Sequence, residues 1–220
     1  MKLKPQPLLL LLLTTFGIHH TATAQFLNDE QERNFVGTFM VGANLSQVDG
    51  DLYAGVHKVG LVIGPQVMVH IKGRSWINIA LQYAQKGSLY RREVNTGVGP
   101  SFVKYQLHTN NVEIPIVWNY NIAPRWNVGI GAIYNRWLSS KEYYEGINGH
   151  LDLDSETYPF EKNTVDGMVQ GQFKLNAHWL FQFSYQYSIT PIRKQWNTHQ
   201  DFSNGDQKNN LFSVKIGYVF

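Results

Sequence analysis

Eight stretches of this chain alternate apolar and tolerant positions with a period of two, and the last of them constrains the fold most. In residues 210–220, Phe212, Val214, Ile216, Tyr218 and Phe220 fall on one face, and Leu211, Ser213, Lys215, Gly217 and Val219 on the other. Side chains alternate across a strand, so this segment is a strand with one apolar side and one that accepts polar groups. The segment 179–189 repeats the pattern, with Trp179, Phe181, Phe183, Tyr185, Tyr187 and Ile189 opposite Gln182, Ser184, Gln186 and Ser188. A helix would set its apolar residues three and four apart in turn, and both segments keep period two instead.

Six further segments follow the same rule: 35–45, 59–71, 76–86, 105–120, 126–138 and 165–176. In the fourth, Val112, Ile114, Ile116, Trp118 and Tyr120 alternate with Glu113, Pro115, Val117 and Asn119. Eleven residues at about 3.3 Å each reach roughly 36 Å, or about 28 Å along the normal at a tilt of about 40°, close to the apolar band of a membrane barrel. Lipid leaves no backbone group unpaired, so such strands must close on themselves. Pro65 and Pro115 lack a ladder donor and mark local faults of the kind found at bulges. The expected fold is all-β: a single eight-stranded antiparallel transmembrane β-barrel.

Connection lengths set the expected topology. Residues 72–75, 121–125 and 176–178 are short; 46–58, 87–104, 139–164 and 190–209 are long. Short periplasmic turns and longer outer loops are the barrel pattern, and an even strand count puts both termini in the periplasm. Residues 1–24 read as a cleaved secretory signal peptide, with Lys2 and Lys4, an apolar run from Leu8, and Ala22-Thr23-Ala24 as the cleavage site. Residues 25–34 are then a periplasmic stub and 35–220 the barrel domain. The chain has no cysteine, so neither a lipid anchor nor a disulfide framework is expected. Without Lys2 and Lys4 it carries 17 basic against 16 acidic side chains, which argues against nucleic-acid binding. A soluble calycin-type barrel would invert the faces; the signal peptide, the terminal Phe and the loop asymmetry favour the membrane.

A closing strand that stops on Phe resembles the C-terminal assembly signal of bacterial outer-membrane barrels, here carried by Tyr218 and Phe220. Further motifs are Val41-Gly42-Ala43-Asn44-Leu45-Ser46, Tyr83-Ala84-Gln85-Lys86-Gly87, Val112-Glu113-Ile114-Pro115 and Gly129-Ile130-Gly131. With these motifs the chain resembles the PorT-type outer-membrane β-barrel domain family, among the small barrels of Bacteroidota. The resemblance implies the outer membrane as location, with lipid, lipopolysaccharide and the barrel-assembly machinery as surroundings. It also brings a link to type IX secretion, and with it envelope or secretion proteins as partners.

An eight-stranded barrel is filled by its own side chains. The inward positions include Lys86, Glu113, Asp166, Lys174 and Lys215, which are expected to pair as a structural network, since an isolated buried charge is costly. Asp152, Asp154 and Glu156 space three acids as the start of a calcium loop would, but the glycine and closing glutamate are missing. Tyr143, Tyr144, Tyr158 and Phe160 fall in a long outer connection, where partner contact or an interfacial position is expected. Arg91, Arg92, Arg193 and Lys194 flank outer loops and suit lipopolysaccharide phosphates or plain surface charge. No nucleophile, base and acid share a strand face, and the histidines have no metal-ligand spacing. No cofactor and no catalysis are expected. The expected role is an envelope scaffold or surface interaction protein, with a secretion subunit or assembly factor, or a lipid-modifying enzyme, as alternatives.

Overall fold

The computed structural model describes residues 34–51, 58–95, 100–146, 149–153, 157–195 and 203–220. The signal peptide and all of the stub except Asn34 lie outside them. The described residues form ten strands: β1 (Phe35–Asp51), β2 (Lys58–Lys72), β3 (Ser75–Ala80), β4 (Gln82–Asn95), β5 (Pro100–Ala123), β6 (Trp126–Gly146), β7 (Gly149–Leu153), β8 (Asn163–Lys174), β9 (Trp179–Ser188) and β10 (Ser203–Val219). All pairings are antiparallel, and they close: β1 bonds β2 on one side and β10 on the other, from Thr38↔Val219 to Asp51↔Ser203. β3 and β4 together occupy one position between β2 and β5, and β7 pairs only with β6. The result is a ring of eight strand positions with no free edge, the solution that lipid demands of β structure.

The division of the third position into β3 and β4 has a cause in two prolines. β2 pairs with β3 up to Gln66↔Ala80 and with β4 again from Ile63↔Tyr83. β5 pairs with β3 as far as Ile116 and with β4 from Glu113. Leu81, at the break, lies opposite Pro65 of β2, and its neighbour Ala80 lies opposite Pro115 of β5; neither proline has an N–H to offer. Leu81 still donates to the Pro65 carbonyl at 3.0 Å. The Leu81 carbonyl sits so close over Gly64 that a Cβ there would lie 2.1 Å from its oxygen. The two faults expected at the prolines are thus one feature, a seam in the wall.

The outward face is apolar on every strand position, with Val41, Leu61, Ile79, Ile116, Ile130, Val169, Phe183 and Val214 all exposed. Trp118, Tyr120, Trp126, Trp179 and Tyr218 gather towards the end that carries the short turns, as interfacial aromatic girdles do. The turns use local chemistry. Gly73 takes φ +57 between β2 and β3, and Asn176 accepts at 2.9 Å from the N–H groups of both His178 and Trp179.

The long connections expected from the sequence are for the most part strand. β5 has 24 residues and β6 has 21, about twice the 9–11 or so that a tilted strand needs to cross. β4, β5, β6 and β7 continue past the apolar belt as a sheet. A bulge opposite Asn110/Asn111 adds one residue to β6 at Leu138, which inverts the parity of that strand. Below the bulge Ile133 and Asn135 point inward; above it Glu142 and Tyr144 do.

Candidate functional site

The inside of the barrel is layered. At mid-height stands a charge layer of Lys86, Glu113, Asp166 and Lys215, all 0–1% exposed. The Lys86 ammonium lies 2.5 Å from Glu113 Oε1 and 2.9 Å from Asp166 Oδ2, and donates to Asn135 Oδ1 at 3.1 Å. It joins β4 to β5, β6 and β8 across the lumen. Asp166 also accepts from Ser188 Oγ, which in turn accepts from the Asn209 N–H, both at 2.9 Å. Lys215 makes no ion pair among the described residues and donates to Gln82 Oε1 at 2.9 Å. Two cations and two anions leave the layer balanced, and its crossing contacts fill the lumen. Lys174 stands apart from it, half-buried at the turn end.

Above the charge layer the mouth is closed by a second core of Val48, Tyr105, Leu107, Leu153, Phe160 and Ile192. Trp137, Tyr144 and Tyr158 pack against it. Within it Glu142 accepts from Tyr105 at 2.5 Å and from Arg193 at 2.7 Å. The Arg193 guanidinium lies 3.6 Å from the centre of the Phe160 ring. Burial and the Glu142 carboxylate hold the Tyr105 phenol protonated well above its ordinary range.

Two expectations change here. Tyr144, Tyr158 and Phe160 do not reach outward from a loop: parity after the bulge and the apolar mouth draw them inward. Arg193 is 2% exposed and faces Glu142 rather than lipopolysaccharide, because the mouth offers it both a carboxylate and a ring face.

Tyr143 does point outward, on β6. It donates to Gln106 at 2.5 Å, lies beneath the Lys104 ammonium at 5.2 Å and beside the His150 ring at 5.5 Å. Arg91 lies 4.8 Å from the Phe102 ring on the same face of the projecting sheet. Arg92 is exposed, and Lys194 is 3.8 Å from Glu161. Of the acidic triplet, Asp152 is solvent-exposed with His150 Nε2 at 2.8 Å, while Asp154 and Glu156 lie outside the described residues. Among the described residues no three His, Asp or Glu side chains are grouped as for a metal. His70 and His178 sit at the short turns, bonded to the Gly73 and Val219 carbonyls. His108 contacts Asn110 at 3.2 Å, and burial beside Lys58 lowers its pKa.

The turn end is different. A cavity of about 230 Å³ opens there, walled by Val36, Met68, Trp76, Leu180 and Val219 and by Asn78, Asn119, Asn127, Gln172 and Lys174. No sequence signal points to it, because its walls come from eight strands. Tyr218 and Phe220, the expected assembly signal, lie on the outer wall nearby. Tyr218 packs edge-on to Trp179 at 5.2 Å and to Phe220 at 5.5 Å.

Comparison with solved structures gives small membrane barrels at low sequence identity. Ail, the attachment invasion locus protein of Yersinia pestis, solved with the heparin analogue sucrose octasulfate, is 14% identical, with a TM-score of 0.48 over 85% of this chain and 99% of Ail. Neisserial surface protein A is 10% identical, with a TM-score of 0.43 over 84% and 96% of the two chains. The N-terminal barrel domain of Pseudomonas aeruginosa OprF is 10% identical, with a TM-score of 0.39 over 85% and 98%. No curated protein matches the chain in sequence. The family profile described as the outer membrane protein beta-barrel domain matches residues 8–220. With a closed eight-position ring, an apolar belt and that match over nearly its whole length, the chain belongs to the outer membrane protein beta-barrel domain family.

Proposed function

We propose that this barrel is a non-catalytic surface interaction protein: the short turns face the periplasm and the β4–β7 sheet stands outside the cell as its contact platform. One observation carries the proposal. Four strands outrun the apolar belt, and the outward face they build displays two cation–ring pairs, Arg91 with Phe102 and Lys104 with Tyr143, with Glu93 and Glu145 opposite Phe102 and Lys104. A face of ring-backed cations beside carboxylates suits polar partners that carry charge, and lipopolysaccharide head groups are the nearest such groups. The lumen, bridged by Lys86 and capped by the Tyr105 core among the described residues, supports this reading, because side chains rather than a channel occupy its middle. Tyr218 and Phe220 serve delivery, as the strand that the barrel-assembly machinery recognises.

The chain has no cysteine, so single cysteines report orientation cleanly. In intact cells, a membrane-impermeant maleimide is expected to label His150→Cys and to spare Ala177→Cys. The reverse result refutes the orientation. A photo-crosslinker at position 102 is then expected to capture lipopolysaccharide or a surface partner. Crosslinks confined to position 177, within a reproducible complex of secretion proteins, would replace the platform reading with that of a type IX secretion component.

A further inference from the structure

We propose that the turn-end cavity is a binding site for a small amphipathic carboxylate, with an apolar body of roughly eight carbon-sized groups. The site lies at the opposite end of the barrel from the surface platform and goes beyond that reading.

The lining divides by strand. Val36 of β1, Met68 of β2, Leu180 of β9 and Val219 of β10 form a continuous apolar wall with Trp76. Asn119 of β5, Asn127 of β6, and Gln172 and Lys174 of β8 form a wall of amides and one ammonium. A ligand matched to this lining is apolar along one side and accepts hydrogen bonds along the other.

Two observations point to an anionic head. Asn78 lines the cavity at 3% exposure, and neither its Oδ1 nor its Nδ2 has a hydrogen-bond partner. Leaving a buried donor and acceptor unpaired costs about 1–3 kcal/mol each, so the side chain is set for a polar group that enters the cavity. Two other lining side chains are paired: Asn119 accepts from Gln170 at 2.6 Å, and Gln172 donates to Gln182 at 3.0 Å. The electrostatics then fix the sign. The segments that build this end, 34–42, 64–79, 117–132, 170–182 and 217–220, contain His70, Lys72, Arg74, Arg125, Lys174 and His178 and no Asp or Glu. Lys174 makes no ion pair among the described residues, although it lines the cavity. A low-dielectric pocket ringed by one sign of charge concentrates the opposite sign.

Size limits the body. A cavity of about 150 Å³ with apolar walls holds benzene, and a water-sized group takes about 30 Å³. At about 230 Å³ the site holds roughly eight such groups, a medium aliphatic chain or a substituted ring. The same chemistry comes from two sources, a free carboxylate or the anionic end of a membrane lipid with part of its chain.

The test uses the full mature chain in nanodiscs of zwitterionic lipid, titrated calorimetrically with octanoate. Octanol serves as the uncharged control and octyltrimethylammonium as the control of opposite charge. Saturable binding of octanoate, with both controls weaker by about tenfold or more, is expected from the loss of one charge-assisted contact. Lys174→Met should weaken octanoate to the level of octanol and leave octanol unchanged. Leu180→Trp should fill the apolar wall and abolish both. Each variant is checked for the heat-modifiable gel shift of a folded barrel, and Lys174→Gln, which keeps the polar end, stands in if Lys174→Met fails that check. Equal binding of octanoate and octanol, or octanoate binding untouched by both position-174 variants, overturns the proposal. Replacing the nanodisc lipid with phosphatidylglycerol separates the sources: competition with octanoate assigns the site to membrane lipid, and undiminished octanoate binding assigns it to a free carboxylate.

Discussion

Replacing Lys86 with Met tests the charge layer at its centre. The ammonium is fully buried and lies within 3 Å of two carboxylates that are themselves 0–1% exposed. Met keeps most of the volume and removes the charge. The layer then holds Glu113 and Asp166 against Lys215 alone, a net charge of −1 among fully buried side chains. Removing one partner from a buried ion pair costs about 3–5 kcal/mol, chiefly because the other charge stays behind unpaired. Glu113→Gln removes one anion but leaves Lys86 with Asp166 and Asn135, so a smaller loss of about 1–3 kcal/mol is expected. The double variant Lys86→Met/Glu113→Gln restores a balanced pair, Lys215 with Asp166. Its loss should fall short of the sum of the single losses by about 2 kcal/mol or more, in the range of directly coupled pairs. Urea unfolding in lipid vesicles, followed by tryptophan fluorescence, measures all four corners of the cycle. The cost of Lys86→Met should barely change between low and high salt, since ions do not reach a buried pair. Additive single losses, or a Lys86→Met cost below about 1 kcal/mol, would refute the account of a coupled layer.

Three further outcomes follow from the mouth, the rim and the seam. Tyr105→Phe should cost about 1.5–3 kcal/mol, the value of a buried hydrogen bond to a carboxylate. Its folded pKa is raised, so the wild type has its full Tyr105 contribution below about pH 10 and loses it as the pH climbs towards the folded value, a slope absent from Tyr105→Phe. His108 has a lowered pKa. Its contribution is therefore complete above about pH 6.5 and disappears as the pH falls through the folded value, and His108→Gln should flatten that acid limb in the same unfolding assay. Gly64→Val should cost at least about 2–3 kcal/mol, because the Leu81 carbonyl occupies the space of the new side chain. Gly171→Ala, where a Cβ meets nothing within 4 Å, should stay within about 0.5 kcal/mol, and equal losses at the two glycines would remove the close-approach argument.

The ring was legible because alternation is a local property: each of the eight stretches announces its apolar face without reference to any other. Parity also places Glu113 and Asp166 on the inward face. It does not say that one ammonium reaches both, since Lys86 and Asp166 are 80 residues apart. The projecting sheet was hidden for the opposite reason. Beyond the belt the outer face of β4–β6 no longer meets lipid and carries polar and charged side chains, the alternation lapses, and residues 87–104 and 139–164 read as loops. The extra residue at Leu138 then shifts every later side chain of β6 to the other face, which is why Tyr144 points into the mouth. Arg193 escaped because a basic residue in a connection reads as surface charge until a carboxylate and a ring from distant strands enclose it.

Closure of the ring joins Thr38 to Val219, about 180 residues along the chain. Such a contact is among the slowest a polypeptide makes, because loop entropy is spent before any contact compensates it. Until β10 meets β1, any growing sheet presents two open ladders and an apolar face to whatever surrounds it. The order of events is thereby imposed by topology: hairpins first, the β1–β10 seam last. A chain halted one strand short would have no stable barrel to retreat to, so its fate in the envelope is decided by how fast it is shielded and inserted rather than by how stable its hairpins are.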